Sequence, residues 1–416
     1  MKTIANLQEA ELALEPFWPT NLHGRTIYTT EYMERFMEFV HDPQNKPHVV
    51  HVAGTSGKTS TAYYVASLLR QAGKRVGLMT SPHVEALNER VQVDLEPLPE
   101  AEFCAELSAY MGLVEQSGIK LSYAEIIYGF AFWEFVRQRV DYIVVEVGMG
   151  GLLDATNVID REDKVSVITD IGLDHTNSLG DSLEEIARHK AGIIRLHNSV
   201  FMHRQGEAVM GVIQEASMRR QADLHVVEQI TGAPDFLPLF QKRNFSLATN
   251  VVSFILQRDG GRQLTAEQLS EAARVHIPAR MEQFRKKRKI ILLDNAHNPQ
   301  KLQALREAID EQYPNKSIAL LLAFVASKGR NIEEMIEAII PVGDHVIVTT
   351  IPTGSHHRDS CDPEDVADIC RTNHVAAEAI DDTMQAYDAL LDRPEDVLVV
   401  TGSTYLLEHI RPLVRN

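Results

Sequence analysis

The residues best suited to chemistry form a short run near the start of the chain. Residues 54–60 read GTSGKTS, between the apolar run HVVHVA and the helix-forming run TAYYVASLLRQ. Glycines let a backbone curl around phosphate oxygens, and a following helix points the positive end of its dipole at them. A lysine can reach the terminal phosphates, and a hydroxyl can ligate Mg²⁺. The pattern predicts phosphate binding by Gly54, Thr55, Ser56, Gly57, Lys58, Thr59 and Ser60.

The spacing of this loop departs from the common GxxxxGK[ST] pattern. Val52 stands where the first glycine of that pattern would be. A glycine-rich turn with an incidental lysine is therefore the alternative interpretation. The missing glycine also disfavours an ordinary P-loop kinase or GTPase.

The composition is that of an acidic globular protein. The 416 residues include 41 Lys and Arg against 58 Asp and Glu, a formal charge of −17, which argues against a protein that coats nucleic acid. The three cysteines show no CxxC spacing and fit a reducing cytoplasm. We find no signal-peptide pattern and no apolar stretch of bilayer length, so the sequence predicts a soluble, cytoplasmic protein without membrane contact.

Strand and helix patterns alternate along most of the chain. The runs HVVHVAG, RVGLMTS, YIVVEVG and VSVITDIG have strand length and are separated by helical patterns, as are KIILLDN, SIALLLAF, HVIVTTIP and VLVVTGS further on. This alternation predicts an α/β protein with mainly parallel sheets, whose ligands lie at the carboxyl ends of the strands. The length and the Pro278 turn predict two domains, residues 1–277 and 278–416.

Seven sequence blocks occur in the order found in a known family. They resemble motifs of the folylpolyglutamate and dihydrofolate synthases, within the Mur ligase superfamily. The blocks are HVAGTSGKTST (51–61), SPH with NER (81–90), EVGMGGLLDATN (146–157), IGLDH with HKAGI (171–193), PARME (278–282), DNAHNP (294–299) and TGSTY (401–405). The resemblance implies a large N-terminal P-loop ATPase domain on a mainly parallel sheet and a smaller C-terminal Rossmann-like domain. It implies a ligase that phosphorylates a carboxylate with ATP and then joins it to L-glutamate.

The resemblance also implies a site with two Mg²⁺ ions. One ion would use Thr59 or Ser60 with Ser81 and Glu146, and the other would use Glu146 and His175. Lys190 matches a lysine that is carbamylated in the family. The alternatives are a salt-bridged structural glutamate at Glu146, a satisfied core histidine at His175, and an unmodified lysine near the γ-phosphate at Lys190.

Further residues are assigned to the nucleotide and to the carboxylate acceptor by the same resemblance. The nucleotide set is Asn244, Arg280, Asp294, His297 and Asn298, and domain closure would complete it. For Arg280 and Asp294 the alternative is a surface charge. The acceptor set is Ser122, Tyr123, Glu125 and Asp154.

Departures from the family pattern gather around the acceptor. Ala124 replaces an aromatic residue, Tyr128 replaces a threonine, and Leu152 replaces an arginine. In the second domain a lysine–aspartate pair is replaced around residues 327–330, and His356, His357 and Arg358 are either contacts to an amino-acid carboxylate or ordinary surface residues. We expect the ATP and magnesium chemistry to be intact, and we expect Tyr123 to replace the lost stacking aromatic.

Three functions therefore remain open from the sequence. The first joins glutamate to a folate or dihydropteroate carboxylate. The second keeps the ligase chemistry but acts on a non-folate carboxylate acceptor, such as a cell-wall precursor. The third is an ATP-binding protein without catalysis, which the retained Glu146, His175 and Lys190 disfavour. We expect a monomer by analogy with the family.

Overall fold

A computed structural model describes residues 4–18, 29–286, 288–326, 331–352 and 359–415. Segments 327–330 and 356–358, which the sequence analysis singled out, lie outside the described residues. The chain divides into two compact units. The first unit is Met1–Leu237 with Gln241–Val275, and the second is Pro238–Phe240 with His276–Asn416. The predicted α/β class with two mostly parallel sheets is confirmed.

The first unit is built on a sheet with the strand order β4-β3-β2-β5-β1-β6-β7-β8 in the described residues. Its central pairs are parallel, whereas β3 pairs antiparallel with both β2 and β4. The strands are β1 (His48–Ala53), β2 (Val76–Met79), β3 (Val91–Val93), β4 (Glu96–Pro97), β5 (Tyr142–Glu146), β6 (Val165–Ile168), β7 (Ser199–His203) and β8 (Asp223–Val227).

Helices cover this sheet and connect its parallel strands. They are α1 (Leu7–Leu14), α2 (Glu31–Phe39), α3 (Lys58–Gln71), α4 (Glu100–Ser117), α5 (Tyr123–Arg137), α6 (Thr176–Leu179), α7 (Leu183–Ala191), α8 (Glu207–Arg219), α9 (Leu239–Arg258) and α10 (Ala266–Ala272). Short 3₁₀ helices lie at Glu15–Phe17, Pro43–Asn45, Leu87–Arg90 and Ala155–Val158. No helix in the described part of the chain is long and apolar enough to cross a membrane.

The second unit has a sheet with the order β13-β12-β11-β14-β10-β9 in the described residues, parallel except for the β9–β10 pair. Its strands are β9 (Glu282–Lys286), β10 (Lys289–Leu293), β11 (Ile318–Leu322), β12 (His345–Val348), β13 (Ala376–Ala379) and β14 (Val397–Thr401). Its helices are α11 (Pro299–Gln312), α12 (Ile332–Ile339), α13 (Pro363–Thr372), α14 (Thr383–Asp392) and α15 (Thr404–Arg415), with a 3₁₀ helix at Ile340–Val342.

The central strands of the first sheet bring the loops with candidate functional residues together. Strand β1 is buried along most of its length because β5 and β6 flank it on either side. Val52 in β1 pairs with Glu146 at the end of β5. The carboxyl ends of the parallel strands β1, β2, β5 and β6 therefore lie on the same side of the sheet, where the loops that follow them meet.

Candidate active site

The glycine-rich loop between β1 and α3 is held from two sides. The backbone N–H groups of Thr55 and Ser56 donate to the carbonyl of Asp170, at 2.9 and 3.1 Å. The Thr169 hydroxyl donates to the Ser56 carbonyl at 2.7 Å. A Cβ at Gly54 would lie 1.8 Å from Thr169 Oγ1, so only glycine fits there. Residues after β6 thus clamp the loop.

Gly57 begins α3 with a left-handed backbone, φ 85°, which favours glycine. The structure shows no side-chain cap on this helix, and an uncapped helix start favours an anion. A Cβ at Gly57 would lie 2.4 Å from Asn244 Oδ1. The structure therefore places the predicted nucleotide residue Asn244, on α9, directly against the loop.

Two lysine side chains meet at one carbonyl of the loop. Lys58 Nζ donates to the Gly54 carbonyl at 3.0 Å, and Lys190 Nζ donates to the same oxygen at 2.9 Å. Lys190 lies on α7 and is only 3% exposed. The loop therefore combines two ammonium groups with an uncapped helix start, an electrostatic environment that favours a polyanion.

Glu146 ends β5 beside this loop and is 1% exposed. Its Oε1 accepts a hydrogen bond from the Thr59 hydroxyl at 2.8 Å, and its Oε2 accepts one from the Ser81 backbone N–H at 3.1 Å. Thr59 is thus the loop hydroxyl that reaches the carboxylate, whereas Ser60 is buried within α3. The structure brings Thr59, Ser81 and Glu146 together, as the resemblance implied.

This oxygen set suits a hard divalent cation. Hydroxyl and carboxylate oxygens are the ligands that Mg²⁺ prefers, and Mg²⁺ completes its shell with water and phosphate oxygens. A buried carboxylate also needs a compensating cation or hydrogen bonds. Within the described residues, no group of three or more His, Cys, Asp or Glu side chains is arranged to hold a metal ion.

His175 lies in the loop after β6 and begins the short helix α6. Its backbone is left-handed, φ 51°, and its side chain is 49% exposed. Its Nε2 is 3.9 Å from Asp174 Oδ1. This exposed imidazole differs from the satisfied core histidine of the alternative interpretation. The metal role of His175 stays a prediction.

Three of the predicted acceptor residues lie at the start of α5. Ser122 and Glu125 form a capping box, in which the Ser122 N–H and hydroxyl donate to Glu125 Oε2 at 2.6 and 2.7 Å. Their described contacts thus support the helix. Tyr123 faces other groups: the Arg90 guanidinium lies 5.6 Å from its ring centroid, and Trp18 packs edge-on at 6.5 Å.

Asp154, the fourth predicted acceptor residue, holds the loop that follows Glu146. Its carboxylate accepts hydrogen bonds from the backbone N–H groups of Met149 and Thr156 at 2.9 and 3.0 Å, and from the Thr156 hydroxyl. Burial raises the pKa of Asp154, and these hydrogen bonds oppose the rise. Leu152 in the same loop is exposed.

The sequence analysis missed residues that shape this site. Thr169 and Asp170 hold the glycine-rich loop, and Arg243 pairs with the Asp170 carboxylate at 2.8 Å. The available signal was the polar pair that directly follows the apolar strand VSVI. Tyr128 was noted only as a departure, yet its hydroxyl reaches Ser81 Oγ at 3.3 Å.

In the second unit, Asp294 follows β10 and is buried. Its Oδ2 accepts a hydrogen bond from the Met281 N–H at 2.8 Å. Burial raises the pKa of Asp294 to about 6, although the positive charge of Arg280 and backbone hydrogen bonds oppose the rise. Arg280 itself donates to the Ala279 carbonyl at 2.9 Å.

The other two predicted nucleotide residues of this unit lie at the start of α11. Asn298 Oδ1 accepts from the Lys301 N–H at 2.9 Å and so caps the helix. His297 Nδ1 lies 2.8 Å from the Asn295 carbonyl, and its Nε2 lies 3.1 Å from Lys301 Nζ. The structure thus brings Arg280, Asp294, His297 and Asn298 to the loops around one end of β10.

Comparison with known proteins identifies related domains in both units. The model of the Mur ligase middle domain matches residues 52–226, and the model of the Mur ligase glutamate ligase domain matches residues 279–404. The chain is 31% identical over 389 residues to the dihydrofolate synthase/folylpolyglutamate synthase of Mycobacterium tuberculosis, covering 83% of this chain and 78% of the relative.

Two further matches extend along most of the chain. It is 31% identical over 421 residues to the Haloferax volcanii protein named "Probable bifunctional folylpolyglutamate synthase/dihydropteroate synthase"; the match covers 92% of this chain but only 48% of that relative's length. The crystal structure of Mycobacterium tuberculosis folylpolyglutamate synthase complexed with ADP and AMPPCP superposes with a TM-score of 0.84 at 27% identity, covering 100% of this chain and 99% of that one.

Proposed function

The chain belongs to the folylpolyglutamate synthase/dihydrofolate synthase family of Mur-type ligases, and from this premise we propose that it is an ATP-dependent ligase that joins L-glutamate to a folate carboxylate. One observation carries the proposal. Glu146, buried at the end of β5, accepts hydrogen bonds from Thr59 and from Ser81 beside a loop that also gathers Lys58 and Lys190. Phosphate groups and a divalent cation both find suitable partners there.

The loop residues would bind the triphosphate of ATP. The N–H groups at the start of α3 and the ammonium group of Lys58 would contact its phosphate oxygens. Thr59, Ser81 and Glu146 would hold Mg²⁺, which when bound neutralises charge on the transferring phosphoryl group. Asn244, which contacts the loop, would bind the nucleotide, as would Arg280, Asp294, His297 and Asn298 of the second unit.

The reaction that fits these parts has two steps. An oxygen of the acceptor carboxylate attacks the γ-phosphorus of ATP, so that ADP leaves and an acyl phosphate forms. The glutamate amine then attacks the acyl carbon, inorganic phosphate leaves, and the amine loses a proton. Protein residues position and neutralise charge in such a reaction and need not form a covalent bond with the substrate.

Finer features of this proposal come from the family pattern. We include a second Mg²⁺ at Glu146 and His175, a carbamate on Lys190, and the domain division at residues 277 and 278. The ammonium group of Lys190, buried beside the Gly54 carbonyl, supports a role at the phosphates. A carbamate on this residue would instead supply an oxygen ligand for the second cation. A monomeric state and a cytoplasmic location are part of the same proposal.

The acceptor is the part on which the folate proposal can fail. Tyr128 places a phenol against Ser81 and Gly148, close to the predicted phosphoryl site, and Ala124 lies one turn before it on α5. Compared with the family pattern, the side chain is smaller at Ala124 and larger at Tyr128. These two differences favour a second candidate, a ligase of this type that acts on a non-folate carboxylate.

Phosphate release from ATP with Mg²⁺ tests both candidates. We expect release to require L-glutamate together with dihydropteroate or tetrahydrofolate. We expect Glu146→Gln to lower it by at least about 100-fold, about 3 kcal/mol, because an amide cannot neutralise a cation. The unfolding temperature of the variant should be measured as well, because the amide oxygen can accept from Thr59 but the amide NH₂ group cannot accept from the Ser81 N–H. ATP binding without stimulation by any folate would reject the folate proposal and favour the second candidate.

A further inference from the structure

Helix α5 carries a tyrosine side chain from the hydrophobic core to the candidate active site. Tyr128 is 5% exposed and belongs to the core cluster that packs α4 and α5 against the sheet. Its hydroxyl is polar and needs a partner at this depth. The partner is Ser81, to whose Oγ the phenol donates a hydrogen bond at 3.3 Å.

The bond joins Tyr128 to the residues that surround Glu146. Ser81 donates its backbone N–H to Glu146 Oε2, and so its main chain and its hydroxyl are held by two different groups. The Tyr128 hydroxyl also lies close against Gly148. A Cβ on that glycine would be only 2.3 Å from the hydroxyl oxygen. The hydroxyl therefore has little room to turn away from Ser81.

The chemistry of the two hydroxyls determines what the bond does. The Tyr128 phenol has one proton, which it donates to Ser81 Oγ. A serine hydroxyl has two lone pairs and one proton. When the phenol occupies one lone pair, the orientation of the Ser81 Oγ is restricted and its second lone pair remains for a ligand.

We propose that Tyr128 is a positioning residue of the ligase, which orients the Ser81 hydroxyl toward the divalent cation through its phenolic hydrogen bond. The inference rests on the proposed function, since Ser81 matters for the reaction only if a cation binds beside Glu146. It adds a residue to the site that the family pattern does not supply, because that pattern has threonine at this position. It also connects the cation site to the helix that begins with Tyr123.

The first test removes the phenolic hydroxyl and keeps the ring. We expect Tyr128→Phe to weaken ADP binding in the presence of Mg²⁺ by about 3- to 10-fold, the range typical of one hydrogen bond, and to leave ADP binding in the presence of a chelator unchanged. Isothermal titration calorimetry measures both affinities. The kcat of phosphate release should fall by a similar factor while the acceptor KM stays within about twofold.

Tyr110 provides a matched control in the same core cluster. It is fully buried, and its hydroxyl has no hydrogen-bond partner in the described part of the chain. Tyr110→Phe should leave both ADP affinities unchanged. A fall in unfolding temperature for Tyr128→Phe with equal ADP affinities would indicate a purely structural tyrosine and overturn the inference.

A double-mutant cycle tests the route through Ser81. If Tyr128 acts through this hydroxyl, Tyr128→Phe should have no further effect on Mg²⁺-dependent ADP binding in a Ser81→Ala background. Additive losses would contradict the inference. Because calorimetry requires no acceptor, the cycle gives a result even if no folate stimulates phosphate release, and so the two proposals fail separately.

Discussion

Two turns in this chain lead from a buried strand into a helix, but the groups that they present differ in charge and capping. The turn from β1 to α3 in the first unit begins its helix at Gly57, without a capping side chain. The turn from β10 to α11 in the second unit begins its helix at Asn298, whose side chain occupies the Lys301 N–H. An open helix start can receive an anion, whereas a capped one has already satisfied part of its N–H groups.

The two turns also differ in the charge of the side chains beside them. Two ammonium groups, from Lys58 and Lys190, meet the first turn at the Gly54 carbonyl. The second turn contains the buried carboxyl of Asp294, whose pKa is raised to about 6. The first turn therefore suits phosphate groups, whereas the second offers a carboxylate that can accept hydrogen bonds from hydroxyl groups.

Of the changes at the two turns, Gly57→Ala should have the largest effect on ADP affinity. Gly57→Ala would force a side chain into a left-handed position and displace Asn244 Oδ1, which lies 2.4 Å from the new Cβ. We expect the affinity for ADP with Mg²⁺ to fall by about 10- to 100-fold, from a backbone cost of about 1–2 kcal/mol and the shifted asparagine. Calorimetry measures the loss.

Gly73 provides the control for backbone strain alone. Its φ of 76° is similarly left-handed, but no heavy atom lies within 4 Å of its Cβ position. Gly73→Ala should lower stability and leave ADP binding unchanged. Equal ADP affinities for Gly57→Ala and the wild type would show that the first turn does not bind phosphate.

The second prediction concerns the pH dependence of stability at the second turn. Burial raises the pKa of Asp294 from 3.8 to about 6, so the protonated form stabilises the fold at low pH. That contribution is fully present below pH 3.8 and is lost as the pH rises through about 6. Relative to Asp294→Asn, the wild type should lose about 2–3 kcal/mol of unfolding free energy across this interval.

Urea unfolding of both full-length chains across the interval measures this difference. Glu282→Gln provides a control of opposite sign. Burial raises the pKa of Glu282, but hydrogen bonds from His276, Arg411 and the Ala279 N–H outweigh that and lower the pKa to about 2. Its contribution is therefore lost as the pH falls. A pH-independent difference between the wild type and Asp294→Asn would contradict the assignment for Asp294.

The smallest effect is expected at the cap of α11. Asn298→Ala removes the acceptor of the Lys301 N–H and should cost about 1 kcal/mol of stability, whereas Asn298→Ser should restore most of it. Denaturant unfolding measures both. ADP affinity adds a second measurement: if Asn298 also binds the nucleotide, serine should restore stability without restoring affinity. If Asn298→Ser recovered both stability and ADP affinity, Asn298 would only cap the helix and would not bind the nucleotide.

Apolar runs in the sequence predicted eight strands, which are largely buried, but not the interior strand β7 or its neighbour β8. The strands β1, β2, β5, β6, β10, β11, β12 and β14 all lie within apolar runs that the sequence analysis identified. The edge strand β13 was not recognised, since AAEA has no β-branched residue and is only partly buried. The β3–β4 hairpin is too short to produce a pattern.

The candidate site could be predicted as a set of residues but not as a set of contacts. The family resemblance implied Thr59 or Ser60 with Ser81 and Glu146, yet the bond between Ser81 and Glu146 uses a backbone N–H that no side-chain pattern reveals. The Gly54 carbonyl that receives both lysines is hidden for the same reason. Conversely, Ser122 and Glu125 have the S-x-x-E spacing of a capping box, which the sequence analysis could have recognised.

The most direct test of the ligase account is whether an oxygen atom of the acceptor carboxylate appears in the released phosphate. The acceptor carboxylate, of dihydropteroate or tetrahydrofolate, is labelled with heavy oxygen and incubated with the protein, ATP, Mg²⁺ and L-glutamate, and the released phosphate is analysed by mass spectrometry. Attack of the carboxylate on the γ-phosphorus predicts that the phosphate carries an oxygen from the acceptor. Phosphate whose oxygens come only from ATP and water would contradict an acyl phosphate.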